Sequence, residues 1–219
     1  MSSFLFDLGK ESNGKVKKLT NSPFRYAGGK FYARKLILEC IPSHTYYCEP
    51  FAGGASIFFA KEKIRYNWLN DLDEELINCY RFIQKSPEGI IKILEGFKPN
   101  KETHHYFKNE FKPSNGLEKA ARWYFLNRTS YSGIMQKQNC YFGYGDKYSM
   151  RPENWLNHLN TCSEKLKNVR LTAWDFERVV ESIPDNTFLF IDPPYFNADQ
   201  GKFYNCFFRE KIIIDSVKR

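Results

Sequence analysis

The segment that most limits the folds open to this chain runs from His44 to Ser56. A short stretch rich in aromatics leads directly into Glu49-Pro50-Phe51-Ala52-Gly53-Gly54-Ala55-Ser56. A buried strand followed by paired glycines lets the chain turn sharply and brings backbone N–H groups close to a ligand above the turn. A helix over Ser56–Lys63 and a second strand over Ile64–Asn70 are expected next. Asp73 is placed to cap a helix from Glu74 to about Lys85, with Leu76, Ile77, Tyr80 and Ile83 on one face. The same rhythm returns later, with a strand over Val169–Ala173, a short helix over Phe176–Ser182 and an apolar strand over Thr187–Ile191. Strands alternating with helices predict an α/β fold built on a mainly parallel sheet.

Between about 86 and 164 the pattern changes. Helical patches surround Leu117–Asn127, and the Gly-, Asn- and Tyr-rich stretch Arg128–Tyr148 suits a hairpin and loops. The expected division is a polar, mobile arm over 1–22 with Lys15, Lys17 and Lys18, a core over 23–85 and 165–219, and an inserted module over 86–164. The 219 residues, 42% hydrophobic, carry enough apolar material for one sizeable core. No apolar run reaches the length of a membrane span and the first residues lack a secretory apolar segment, so a soluble, cytoplasmic protein is expected. Cys40, Cys48, Cys79, Cys140, Cys162 and Cys206 form no C-x-x-C pair. They are read as free thiols in a reducing compartment, with no metal site. A net charge of +8 with 17% aromatic residues fits a partner bearing phosphates and stackable bases, although a basic chain is not by that fact alone a nucleic-acid binder.

Two motifs carry chemistry. Gly53 and Gly54 can cradle a ligand, and Asp71, about 20 residues on at the end of the second strand, stands where such folds place an acid for ribose hydroxyls. A plain tight turn is the simpler alternative. A phosphate-binding loop fits poorly, since Gly28-Gly29-Lys30 lacks the earlier glycine and the following Ser/Thr, and the absence of G-x-G-x-x-G weakens a nicotinamide site. The second motif, Asp192-Pro193-Pro194-Tyr195, ends the last apolar strand. Two prolines fix a rigid extended turn, which holds the Asp192 carboxylate and the Pro193 carbonyl as two acceptors at the carboxyl edge of the sheet. An adenine exocyclic amine is a poor nucleophile because its lone pair is delocalised into the ring. Two acceptors on its N–H bonds favour a more tetrahedral nitrogen and free the lone pair for attack on a sulfonium methyl. Tyr195 offers a stacking face for an extruded base. A strand-ending Pro-Pro turn with a capping Asp is the structural alternative.

Phe24-Arg25-Tyr26-Ala27-Gly28-Gly29-Lys30, the Glu49–Gly54 turn, Asn70-Asp71 and Asp192–Tyr195 occur in an order that resembles the Dam-type, alpha-group (D12 class) adenine-specific DNA N6-methyltransferases, over residues 23 to about 205. The resemblance implies a Rossmann-like sheet using S-adenosyl-L-methionine, with an inserted helical and hairpin module that reads double-stranded DNA; the four strands are expected in the order third, second, first, fourth, with right-handed crossovers. It places Tyr26, Lys30, Phe51, Gly53, Gly54, Asp71, Asp175, Phe176 and Asp192 at the cofactor, and Asp192, Pro193, Pro194 and Tyr195 at the target amine. Asn127–Gly133 resembles the start of the family's recognition hairpin, implying DNA contacts from Arg128, Tyr131, Ser132, Gln136 and Lys137, with Tyr131 against the gap left by a flipped base. Two positions depart from the pattern. Ala55 replaces a glycine common at the third position of the turn. Gln136 stands where GATC-reading members tend to carry Arg, and Gln suits adenine N6/N7 rather than guanine O6/N7; a solvated hairpin tip is the plainer reading of Gln136. With the given sequence stopping at Arg219, before the family's later strands, Thr187–Ile191 is expected to form an apolar edge open to self-association, with Ile212–Ile214 too short to replace the missing cover. Three activities remain open on these residues: adenine methylation of DNA, a shortened homologue that only binds DNA or cofactor, and methylation of RNA or a protein amide. A restriction endonuclease enters as a partner only by genomic association.

Overall fold

The computed structural model describes residues 19–26, 28–145 and 149–194. The expectations for residues 1–18, for Tyr148, for Tyr195 and the loop after it, and for Ile212–Ile214 lie outside these residues. The order of elements is α1 (Arg34–Glu39), β1 (Tyr46–Glu49), α2 (Ser56–Ala60), β2 (Tyr66–Asn70), α3 (Glu74–Lys85), α4 (Pro87–Leu94), α5 (Lys101–Asn109), α6 (Gly116–Thr129), α7 (Trp155–Leu166), β3 (Arg170–Thr172), α8 (Phe176–Glu181) and β4 (Thr187–Leu189). Single 3-10 turns lie at Tyr131–Gly133 and Pro152–Asn154.

The described strands form one parallel sheet in the order β3-β2-β1-β4, as expected. Each strand falls inside its expected segment, extended by one residue at Glu49. The register pairs Cys48 with Trp68 and with Leu189, so the carboxyl ends of β1, β2 and β4 come level. The strand order reverses between β1 and β4. A crevice opens at such a reversal, outside the carboxyl ends of the strands, and ligands bind there in open α/β sheets.

Asp73 starts α3 as expected, its carboxylate accepting from Glu75 N (2.9 Å) and Leu76 N (3.1 Å). Leu76, Ile77, Tyr80 and Ile83 are all buried, as is Cys79. The middle of the chain is more helical than its sequence suggested. Within the expected helical and hairpin module, α4, α5 and α7 lie outside the patches placed around Leu117–Asn127, α6 extends that patch to Thr129, and α1 precedes β1. α6 is the central helix: from Ala120 to Thr129 every residue but Arg122 is buried. It packs on α3, α4 and α5, while α7 packs on α3 and α4. One hydrophobic cluster runs from Phe24 and Tyr47 through α3 and α6 to Trp155, Leu159 and Leu166, so the helices between 86 and 164 share the core of the sheet.

Among the described residues, the expected hairpin is a single antiparallel bridge, Ser130 with Phe142, flanked by Tyr131 N–H donating to Tyr141 O and Gly143 N–H donating to Thr129 O (both 2.8 Å). Cys48, Cys79, Cys140 and Cys162 are buried free thiols, but Cys40 is exposed. No helix among the described residues is long and apolar enough to cross a membrane.

Candidate active site and nucleic-acid interface

The glycine turn is fixed by contacts that leave no room for side chains. Gly53 has φ +46° and lies under the Tyr26 ring; a Cβ there would stand 2.8 Å from Tyr26 Cε1. A Cβ on Gly54 would stand 3.0 Å from Tyr26 Cβ. Tyr80 hydroxyl, from α3, donates to Gly53 O (2.8 Å). Ala55 has φ +47°, in the left-handed region, where a glycine would sit without strain.

Asp71 closes the same turn from below. Its carboxylate accepts from Gly53 N–H (2.8 Å) and Asp73 N–H (3.0 Å). Burial pushes Asp71 up to about 6, against the backbone donors from Asp73 and Gly53, which hold it down. With Leu72 as a third backbone donor, the carboxylate still keeps acceptor capacity for a ribose hydroxyl. Beside it, Asp175 caps α8 through Glu177 N–H (2.9 Å). This sets Phe176 against Phe51, ring centroids 5.4 Å apart and planes at 30°. Two residues 125 positions apart in sequence thus form one aromatic surface beside the turn.

Asp192 reaches this edge from the end of β4. Lys30, carried from the first motif by a turn in which Gly29 N–H donates to Tyr26 O (3.1 Å), places its Nζ 2.6 Å from Asp192 Oδ2 and 3.1 Å from Gly28 O. Pro193 and Pro194 follow, half-buried.

The residues singled out for DNA divide. Tyr131 is 64% exposed, and Ser132 (φ 53°) and Lys137 are also exposed. Gln136 is half-buried, and its Oε1 accepts from Gln138 N–H and Asn139 N–H (both 2.9 Å). In this conformation the oxygen that would meet adenine N6 holds the turn instead. Arg128, expected to contact DNA, is only 6% exposed, and its Nε has no hydrogen-bond partner among the described residues. It lies beside Arg25, whose guanidinium is held below its usual range by burial and then by the Arg128 charge.

The adenine-methyltransferase model of the D12 class, described as "D12 class N6 adenine-specific DNA methyltransferase", matches residues 26–215. The chain belongs to this family. Among its relatives is a type II methyltransferase of Lactococcus lactis subsp. cremoris, 27% identical over 209 residues, which span 88% of this chain and 72% of the relative. The DNA N-6-adenine-methyltransferase of Escherichia phage P1 is 30% identical over 182 residues, 80% of this chain and 24% of the relative. The DNA adenine methylase of Escherichia coli K12 is 28% identical over 182 residues, 78% of this chain and 63% of the relative.

Three residues of this D12 chain were not assigned a role from sequence. Asn70 ties the strand ends together: its Nδ2 donates to Pro50 O and Trp174 O (both 2.9 Å), and its Oδ1 accepts from Thr172 Oγ1 (2.7 Å) and Trp174 N–H (2.9 Å). Asn127 holds the first motif to the recognition segment, exchanging bonds with Arg25 N–H (3.0 Å) and Arg25 O (2.7 Å) and donating to Gly133 O (3.3 Å). Glu49, 2% exposed at the end of β1, accepts on Oε1 from Tyr47 hydroxyl (2.7 Å) and Phe58 N–H (2.8 Å). A polar residue ending a buried strand was the available signal for Asn70 and Glu49.

Proposed function

We propose that this chain methylates adenine N6 in double-stranded DNA with S-adenosyl-L-methionine as donor, at the crevice between β1 and β4. The observation that carries this reading is the 2.6 Å contact between Lys30 and Asp192, which joins the first motif to the Asp-Pro-Pro turn beside the glycine turn. An opposite charge pair suits the amino-acid end of the cofactor. Asp71 suits its ribose, and the Phe51–Phe176 surface suits its adenine. Gly53 and Gly54, with Tyr26 above them, suit a ligand wrapped closely along backbone. These residues fit the cofactor, which when bound supplies a sulfonium-activated methyl group.

The chain's own part is positioning and electrostatics. Asp192 accepts a hydrogen bond from the target amine, and the Pro193 carbonyl takes the second, which localises the nitrogen lone pair. Tyr195 stacks on the extruded base. Lys30 neutralises Asp192 until the site is occupied. Tyr131, exposed and backed by the Ser130–Phe142 bridge, fills the gap left in the duplex. Ser132 and Lys137 meet the phosphate backbone. Gln136 reads a base only by releasing its Oε1 from the turn. Arg128 serves the interface from beneath, at the foot of α6 beside Arg25.

Two binding measurements test this. Asp71→Ala is expected to weaken S-adenosyl-L-methionine binding by about 1.5–3 kcal/mol, the worth of a hydrogen bond to a charged group. Duplex binding is expected to fall steeply with added salt. Unchanged cofactor affinity removes Asp71 from the site, and salt-independent binding removes the phosphate contacts.

A further inference from the structure

Glu49 lies at the carboxyl end of the central strand β1, one residue before the turn that begins at Pro50, and β4 runs beside it through Phe190 N–H donating to Cys48 O (2.9 Å). Among the described residues, Tyr47 hydroxyl and Phe58 N–H both donate to its Oε1. The charged and titratable groups around it come from every neighbouring element. Tyr47 and Cys48 share β1, and Lys61 follows α2 with its ammonium 4.4 Å from the Tyr47 ring centroid. Tyr80 faces it from α3, and Asp192 from the end of β4. Tyr47, Cys48 and Tyr80 are pushed up by burial and stay neutral at physiological pH. Asp192, held by Lys30, and Asp71 stand at the glycine turn, and Glu49 lies buried behind them at the end of β1, within reach of the Asp192 charge.

We propose that Glu49 is a charge-responsive positioning residue of the cofactor site, ionised when a sulfonium cation occupies the crevice and protonated when the neutral thioether product is left there. The proposal rests on the cofactor reading above. Burial, reinforced by the Asp192 charge, lifts Glu49 to about 7, while Tyr47, Phe58 N–H and Lys61 hold it down. A positive charge delivered nearby favours the carboxylate and releases a proton to solvent. The methyl donor carries one more positive charge than its thioether product. Donor binding is thus tied to Glu49 ionisation and product binding is not. The site holds the donor more firmly than the product, and the preference grows as pH rises through the Glu49 range.

Calorimetric titration of the chain with S-adenosyl-L-methionine and with S-adenosylhomocysteine, each in two buffers of different ionisation enthalpy, counts the protons released. At pH 7 the donor is expected to release more protons than the product. From pH 6 to pH 8 the donor-to-product affinity ratio is expected to rise, by about tenfold for each unit that the sulfonium draws Glu49 down. Glu49→Gln is expected to remove the difference in protons and flatten the ratio, while any contribution of Asp71 and Lys61 persists. Equal proton counts for the two ligands on the unaltered chain overturn the proposal even where Glu49→Gln fails to fold. So does an undiminished difference in a folded Glu49→Gln protein. Absence of binding by either ligand instead sinks the cofactor reading, and this inference with it.

Discussion

Replacing Asn70 tests whether the site is held together from beneath. Its side chain makes four hydrogen bonds, linking the end of β2 to Pro50 at the start of the glycine turn, to Thr172 at the end of β3 and to Trp174 before the Asp175 cap. Asn70 itself is 1% exposed. The bonds to Pro50 and Thr172 are fully buried, so Asn70→Ala leaves those partners without water, at about 1.5 kcal/mol each. The two bonds to Trp174 lie nearer solvent and are worth about 0.5 kcal/mol each. Asn70→Ala is therefore expected to lose about 4 kcal/mol in a urea unfolding titration, at unchanged m-value. Asn70→Asp keeps the acceptor but turns an oxygen toward the Pro50 and Trp174 carbonyls. It is expected to be the worse of the two at pH 7 and to recover as pH falls and the carboxyl gains a proton. A loss under about 1 kcal/mol for Asn70→Ala, or an aspartate variant as stable as the parent at pH 7, refutes the reasoning.

Further expectations follow from the same contacts. Gly53→Ala combines a left-handed backbone with a Cβ 2.8 Å from Tyr26 Cε1, so thermal melting should show a loss of about 1–3 kcal/mol, partly restored in the Gly53→Ala, Tyr26→Ala double variant. Glu49 stands at about 7 against an ordinary 4.5, so its folded form prefers the proton, and its contribution to stability is lost as pH rises from about 4.5 to 7. Glu49→Gln should accordingly gain stability relative to the parent between pH 5 and pH 8, by up to about 3 kcal/mol in paired unfolding titrations; a constant difference counts against the buried carboxyl. Arg128→Met removes a buried guanidinium whose Nε lacks a partner among the described residues and should leave the melting temperature equal or raised, whereas a loss of more than about 1 kcal/mol reveals a stabilising partner for Arg128.

Local chemistry explains which parts of the fold were legible. β1 and β4 run into the glycine turn and the Asp-Pro-Pro turn, and β2 ends at Asn70-Asp71, so their ends were marked in the sequence, while β3, Arg170-Leu171-Thr172, showed only through the returning α/β rhythm; their order follows from right-handed crossovers. α3 could be read to the residue because Asp73 caps it and an apolar stripe lines one face. α7 carries its stripe at Trp155, Leu159, Cys162 and Leu166, a helical spacing obscured by the polar residues between. α5 buries only His104 and Phe107, too little for a pattern. From Ala120 on, α6 is buried everywhere but at Arg122, so no polar face marked its end, and Arg128 looked like a surface charge. The turn, Asp71 and Asp192 were legible because strand ends announce a ligand edge. The pairing of Lys30 with Asp192 spans 162 positions and needed the fold, as did the clamps made by Asn70 and Asn127.

The most direct test is the product itself. The purified chain is incubated with isotopically labelled S-adenosyl-L-methionine and unmethylated duplex DNA, beside Asp192→Ala checked for folding by circular dichroism. The DNA is then digested to nucleosides for mass spectrometry. Labelled N6-methyladenine from the parent, and none from Asp192→Ala, is the predicted result. Label on cytosine, no label at all from a folded parent, or equal labelling by Asp192→Ala contradicts the account.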